Sequence, residues 1–277
     1  MGLSREQISR YSRQLILPEL GVAGQQKLLQ ASALIVGAGG LGSPAALYLA
    51  AAGVGRLSLV DHEAVALSNL HRQILHTTDA IGRPKVYSAQ ERLAALNPEV
   101  VVTAHHEALT AANAFEWVGR YDVVLDGSDN FPTRYLVNDA CVLAGTPLVH
   151  GGVVHCGGQV LVIAPRRSAC LRCVFPEPPQ SGAIPSCQEA GVVGTVAGIM
   201  GTVMAHEALK LLAGIGESLT DRLLTFEGRA SRFREVAVRR DASCAVCGDA
   251  PTIRGLREEP TRCEGSSNEE GTWRGNK

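Results

Sequence analysis

The chain has 277 residues, 45% of them hydrophobic, enough to bury the core of one large α/β domain or two small ones. With 26 basic and 27 acidic residues its formal net charge is −1, which gives no electrostatic case for nucleic acid or an anionic membrane as a partner. Only 4% of the residues are aromatic, so Ala, Val and Leu must fill the core.

Ser4 and Gln7 form a capping-box pair, and the helix they start puts Ile8, Tyr11 and Leu15 on one face before Pro18 closes it. Arg5, Arg10 and Arg13 lie off that stripe, where spacing alone makes them a solvated face. No charged residue falls between Lys27 and Arg56, a stretch long enough for a membrane span. Glycines and Pro44 interrupt it, however, and a buried strand followed by a helix accounts for it better. The N-terminus lacks a basic-then-apolar signal pattern, so a cytoplasmic protein is expected.

The apolar strand at 33–36 breaks into Gly37, Gly39, Gly40 and Gly42, the first, second and last of which have the G-x-G-x-x-G spacing. An Ala- and Leu-rich helix follows, with Pro44 in its first turn and Gly53 at its end. Missing Cβ atoms in such a turn let backbone N–H groups and a helix N-terminus close on a phosphate. A second strand, 57–60, ends on Asp61, about 20 residues past the glycines, where an acid usually holds ribose hydroxyls. The unit predicts a nucleotide cradle.

The segment 62–78 has no sustained periodicity and contains Asn69, Arg72 and Gln73. A simple dinucleotide fold links strand to helix with only ~2–6 residues, so this insertion is expected to be functional. Gly82-Arg83-Pro84-Lys85 then opens a helix that Asn97-Pro98 stop. A cation such as Lys85 in a first helical turn opposes the helix dipole and calls for something negative nearby.

Strands are predicted at 100–103 and 122–125 with a short helix at 111–118 between them. The second of these strands ends in Asp126-Gly127-Ser128-Asp129-Asn130, at the carboxyl end where ligands of open α/β sheets lie. A helix at 131–144 ends on Gly145. Segments 147–154 and 159–163 flank Cys156-Gly157-Gly158 as a hairpin, which makes the second half at least partly antiparallel. A Pro-rich crossing loop or lid (175–185), an apolar helix with Gly198 and Gly201 suited to close packing (191–212) and two late strands (223–226 and 233–238) follow. The polar stretch 251–277 is expected to be a disordered tail.

Of eight cysteines, Cys170 and Cys173 form one C-x-x-C pair and Cys244 and Cys247 another. Two such pairs suit a structural tetrahedral Zn2+ site, each pair bending round one edge of the metal. Cys141 is expected to be buried in its helix. Cys187 precedes the long apolar helix, where a helix N-terminus can lower a thiol pKa; an ordinary loop cysteine is the alternative. Asn69, Arg72, Lys85 and Asp129, on loops beside one glycine cradle, would supply groups for a polyphosphate and a carboxylate for Mg2+. A hydride-transfer enzyme needs no such cations there.

These motifs carry a resemblance. Tyr11-Ser12-Arg13-Gln14, Leu17-Pro18-Glu19, Gly37-Ala38-Gly39-Gly40-Leu41-Gly42, Ser68-Asn69-Leu70-His71-Arg72-Gln73, Gly82-Arg83-Pro84-Lys85, Asp126-Gly127-Ser128-Asp129-Asn130 and both C-x-x-C pairs resemble the ThiF/MoeB/HesA family of the ubiquitin-activating enzyme superfamily. The resemblance runs from Ser4 to about Cys247. It implies ATP-dependent adenylation of a small ubiquitin-fold sulfur-carrier protein at its C-terminal Gly-Gly, serving thiamine, molybdopterin or thiolated-tRNA synthesis.

By the same resemblance Asp61 holds the ribose, Asn69, Arg72 and Lys85 hold phosphates, and Asp129 binds Mg2+. Gln73 and Asn130 belong to the motifs that line the nucleotide. Arg13 would reach across a homodimer interface to the γ-phosphate, and relatives use the cysteine matching Cys187 for a covalent link to the carrier. Some relatives carry a fused rhodanese domain; the stretch after Cys247 is too short for one, so a separate sulfur-donor protein is expected. The expected architecture is one α/β domain, 1–250, with a Rossmann-like nucleotide half (31–150) continuing into a mixed parallel and antiparallel sheet (151–250) that carries zinc and docks the carrier. The alternatives are a tRNA-modifying dehydratase of the same superfamily, a nicotinamide-dependent oxidoreductase, and a non-catalytic adaptor.

Overall fold

The computed structural model describes residues 2–179 and 191–258. In chain order, β1 (Ser32–Val36), β2 (Arg56–Val60), β3 (Val101–His105), β4 (Val123–Asp126) and β5 (Leu148–Val154) are followed by β6 (Gly157–Ile163), β7 (Arg222–Glu227) and β8 (Arg232–Ala237). They form one eight-stranded sheet in the order β3-β2-β1-β4-β5-β6-β7-β8. Pairing is parallel from β3 to β5 and antiparallel from β5 to β8. The expected mixed sheet is present, and β5 is the strand on which it changes sense. Strand order reverses between β1 and β4, and in a sheet of this kind a crevice opens there beyond the carboxyl ends of the strands.

Successive strand residues face opposite sides, so each strand feeds two cores. On one side Ile35, Leu57, Leu59 and Leu125 pack with Leu49 of α4 (Gly42–Ala52), Leu93 of α5 (Lys85–Leu96) and Met200 and Met204 of α9 (Gly194–Ala213). On the other, Leu34, Val36, Leu148 and Leu161 pack with Val118 of α6 (Ala114–Val118), Val137 and Cys141 of α7 (Phe131–Ala144) and Leu171 of α8 (Leu171–Val174). Cys141 is buried, as expected. By length and composition α9 passes as a membrane-spanning helix, but it is a core helix whose Val196, Ala197, Met200 and Met204 are buried. A Cβ at Gly201 would overlap the carbonyl of Leu41, so that glycine lets α9 lie against the start of α4; Gly198 has open space and does no such work.

The N-terminal segment differs from the expected single amphipathic helix. It folds as α1 (Arg5–Arg10), with the capping box between Ser4 and Gln7 formed, and α2 (Ser12–Leu15), the break falling at Tyr11. Of the three residues assigned to its apolar face, Tyr11 is buried, Leu15 half-buried and Ile8 exposed. Tyr11 docks the segment: its hydroxyl accepts from Asn97 Nδ2 (2.9 Å), and the same amide donates to the Ala50 carbonyl (2.8 Å). A further helix, α3 (Gly21–Gln30), has no counterpart in the sequence reading, because two glycines and three glutamines blur its apolar pattern. Its buried Gln25 donates to the Ala52 carbonyl (3.0 Å).

The tail does not begin at 251. Ile253 and Leu256 pack on the second core, Ile253 donates to the Ala245 carbonyl (2.8 Å), and Glu258 accepts from the Ala111 amide (2.6 Å). Two aliphatic side chains in an otherwise polar stretch are enough to fold it down. The expectation of disorder from 259 onward falls on residues outside those described. At the far edge, every residue of β8 is exposed, and Arg232, Arg234 and Glu235 place charge on a strand whose outer edge has no partner strand among the described residues, which discourages edge-to-edge association.

Burial pushes the Tyr11 phenol above its ordinary value of 10.0, against the lowering effect of the Asn97 hydrogen bond. A raised folded-state pKa gives stability that is whole below the unfolded value and lost as pH climbs through the folded one. Stability from equilibrium urea unfolding is therefore expected to fall above about pH 10 in the wild type and to fall less steeply in Tyr11→Phe. Equal slopes would show that Tyr11 ionises as freely as in the unfolded chain.

Candidate active site

The glycine turn sits where β1 ends. Gly37 has φ 89°, a conformation that side chains with a Cβ resist, and its N–H donates to the Val60 carbonyl (2.9 Å). A Cβ at Gly42 would overlap the Gly37 carbonyl, so the last glycine of the motif lets α4 start directly beneath the turn. The peptide between them is held at both ends. The Ala38 N–H donates to Asp61 Oδ2 (2.8 Å), and the Ala38 carbonyl lies 2.9 Å from His76 Nε2.

His76 is 5% exposed, and burial lowers its pKa, so the ring is neutral at pH 7. A neutral ring that donates from Nε2 to a carbonyl must accept at Nδ1, where the Ser88 hydroxyl stands 3.0 Å away. Because Ser88 is on α5, His76 ties the glycine turn to the helix that begins with Lys85.

Above the turn is a cleft of about 340 Å³. It gathers Gly37, Gly39, Gly40 and Asp61 from the first half of the motif set, and Arg72, Gln73, Lys85, Asp129 and Asn130 from the loops that follow. Gly42 lies under the turn rather than in the cleft wall. Asn69 lines an adjoining recess, which shares Glu63 and Arg72 with the cleft, and its Oδ1 accepts from the Ala66 amide (3.2 Å). Asn130 is the N-cap of α7, accepting from the Thr133 amide (2.9 Å). Gln73 is 4% exposed and its Oε1 has no hydrogen-bond partner among the described residues, an orphaned polar atom in the wall of a cleft suited to a polar ligand.

Lys85 is 3% exposed and pairs with Glu63, the negative group its position called for. Burial favours the neutral Glu63 carboxyl, but the hydrogen bond and charge of Lys85 outweigh it and hold the pKa below the usual carboxylate range. Arg72 Nη1 donates to the Ser68 carbonyl (3.1 Å) and touches His71 Nε2 (2.9 Å). Arg13 is exposed on α2 and does not line the cleft of its own chain. Cys187 lies outside the described residues.

The cleft does not end at Asp129. Asp129, Arg134 and Val153 also line a second, more apolar groove of about 480 Å³, which runs between α7 and the β5–β6 face and is lined further by Phe175 and Pro179. Arg134, a cation at the junction that the sequence did not single out, donates from Nε and Nη2 to the Ser128 carbonyl (both 3.2 Å). Glu63, His76 and Arg134 belong to no motif that spacing alone could flag; only Lys85's unbalanced charge pointed to the first of them.

On the sheet's other flank Cys170, Cys173, Cys244 and Cys247 bring four sulfurs within 4.8 Å of one another. Neighbouring Sγ atoms are 3.9 Å (170 to 173), 3.6 Å (170 to 244) and 3.3 Å (173 to 247) apart. A tetrahedral ion with ~2.3 Å bonds to sulfur spaces its ligands about 3.8 Å apart, so the cluster is positioned to bind a metal. The Asp241 N–H points at Cys173 Sγ (3.4 Å), a hydrogen bond that steadies a ligating thiolate.

The parallel strands, glycine turn and cation-lined cleft at the switch point define a nucleotide-binding α/β protein, one that also carries four cysteines positioned to bind a metal. More narrowly, the chain belongs to the ThiF family, whose model matches residues 11–246. It is 50% identical over 268 residues to the sulfur carrier protein adenylyltransferase of Thermus thermophilus, covering 95% of this chain and 99% of that one. It is also 50% identical over 267 residues to the adenylyltransferase and sulfurtransferase MOCS3 of Sus scrofa, where it covers 96% of itself but spans only 59% of the relative. The crystal structure of E. coli MccB superposes with a TM-score of 0.79 at 24% identity over 90% of this chain and 74% of that one, a likeness of fold.

Purified protein is expected to hold about one metal ion per chain by elemental analysis, and Cys244→Ser to lose it with a fall in thermal stability. A metal-free wild type of undiminished stability would reduce the cluster to packed thiols.

Proposed function

We propose that this protein is an ATP-dependent adenylyltransferase that joins AMP to the C-terminal carboxylate of a ubiquitin-fold sulfur-carrier protein ending in Gly-Gly. The observation that carries the reading is the continuity of two cavities. A polar cleft suited to a nucleotide adjoins, at Asp129 and Arg134, a more apolar groove suited to a chain end. The similarity to the Thermus adenylyltransferase over nearly both full lengths supports it.

In the reaction a carrier carboxylate oxygen attacks the α-phosphorus of ATP, an acyl–phosphate anhydride forms, and the bond to the bridging oxygen breaks to release pyrophosphate. Anion meets anion, so the step is slow unless cations neutralise both. Arg72 and Lys85 are the cations for the phosphates, with Asn69 beside them, and Arg134 stands where carboxylate and phosphate would meet. Lys85 rests on Glu63 until a stronger anion draws it away. Asp61 is suited to the ribose, and Gln73 and Asn130 are polar groups of the cleft wall.

The Asp129 carboxylate is exposed at the junction and engages no hydrogen bond or ion pair among the described residues, which suits it to Mg2+. Such an ion would lend further positive charge to the phosphates. Arg13, absent from its own cleft, fits a role in the cleft of a second copy in a homodimer. Zn2+ is the ion the four-thiolate cluster suits best, in a structural role, since four sulfurs leave no open position. Cys187 is assigned the covalent link to the carrier, a separate protein is assigned delivery of the sulfur, and the cytoplasm is assigned as the compartment.

Incubated with ATP and a carrier of this type, the enzyme should raise the carrier's mass by one AMP, and carrier-dependent exchange of pyrophosphate into ATP should be measurable. Arg72→Ala and Asp129→Ala are each expected to cut that exchange by about 100-fold or more with melting temperature retained, the scale of losing one transition-state charge partner. Exchange at wild-type rate in both variants would refute the assignment.

A further inference from the structure

The groove has a floor that packing alone does not explain. Along this face of β5 and β6 the inward residues Leu148, Leu161 and Ile163 are aliphatic, but His150 is an imidazole, 2% exposed, and it lines the groove. Its Nδ1 lies 2.8 Å from Oδ2 of Asp126, the last residue of β4, which is fully buried. Burying a carboxylate and an imidazole together costs more desolvation than the aliphatic side chains at the neighbouring positions.

The other oxygen of Asp126 is already engaged, Oδ1 accepting from the Ser128 N–H (3.0 Å) and hydroxyl (2.6 Å). Burial favours the neutral Asp126 carboxyl, but the His150 and Ser128 hydrogen bonds outweigh it and hold the pKa below its usual range. An ionised Oδ2 requires the proton on Nδ1, so the tautomer of a neutral His150 is fixed and the lone pair is on Nε2. Nε2 has no hydrogen-bond partner among the described residues. The next residue on the same face of β5 is Gly152, and the Gln159 and Arg134 side chains lie within ordinary contact distance of where its Cβ would be.

A Gly-Gly chain end has no side chains by which it can be held. Whatever fixes it in register must grip its backbone amides, and an acceptor of set direction on the groove floor is such a grip. We propose that His150, oriented by Asp126, binds the carrier's tail: Nε2 accepts a hydrogen bond from a backbone N–H of the tail as it crosses the groove toward Asp129. This role presupposes the adenylation reading above and adds to it a determinant of carrier binding that is separate from the nucleotide cleft.

Asp126→Asn is the sharpest test. Its Oδ1 keeps both Ser128 bonds and its volume is unchanged, but the amide now donates to Nδ1 and drives the ring proton to Nε2, turning the acceptor into a donor. With the purified full chain and a Gly-Gly-ended carrier, Asp126→Asn and His150→Phe are each expected to raise KM for the carrier in pyrophosphate exchange by about tenfold, the worth of one hydrogen bond to a fixed partner. KM for ATP, and ATP binding measured without carrier, should stay at wild-type values and also report that the variants are folded. An unchanged carrier KM in Asp126→Asn, or ATP binding weakened as much as carrier binding, overturns the role and leaves adenylation standing. Absence of exchange in the wild type with every Gly-Gly-ended carrier overturns both.

Discussion

The contact on which the site depends is the one between the glycine turn and the start of α4. There is no space between the Gly37 carbonyl and Gly42 for even one methyl group, so strand, turn and helix meet backbone to backbone. Amides of the turn can then face a ligand without side chains in the way. The Ala38 peptide is fixed from both sides, by Asp61 at its N–H and by His76 at its carbonyl. Since His76 also meets Ser88, two hydrogen bonds through one ring link the phosphate cradle to the helix carrying Lys85. The cradle and its cation are thus parts of one rigid frame rather than two loops that must find each other.

The change of sense at β5 gives the fold its second cavity. Parallel strands with helices on both faces account for a nucleotide cleft and nothing more. Turning β6 back through the tip at His155 and Cys156 widens the sheet, and the space between α7 and the β5–β6 face is the groove. Asp129 and Arg134 stand at the join because α7 starts at Phe131, just past the end of β4. One cleft-facing loop therefore serves both cavities.

Most of the architecture was legible in the chain because its signals are local. Gly53 and Gly145 end their helices in the left-handed conformation that favours glycine, the expected hairpin forms with its tip at His155 and Cys156 and with Gly157 and Gly158 already in β6, and both C-x-x-C pairs meet. Helix 131–144 was read to the residue, Asn130 capping it and Gly145 closing it. What stayed hidden depends on tertiary contact. The break at Tyr11 follows from a ring docked under Asn97, a residue 86 positions away. Glu63, His76, Arg134 and His150 matter through partners from other elements, and no spacing rule connects them. Helix α3 was missed because its buried polar residue, Gln25, is satisfied by a carbonyl of α4 that only the folded chain brings near.

The cysteine cluster joins residues 74 positions apart, twice over. Between its two halves lie α9, β7 and β8, so an ion held there closes a loop whose entropy cost is about 4 kcal/mol by the (3/2)RT ln n rule. The parallel half needs no such closure to pair its strands, but one of its two cores is complete only when Met200 and Met204 of α9 pack against it. An ion bound by the four thiols would pin the segment that follows β8 to α8, so the tightness of the C-terminal wing would follow the metal supply.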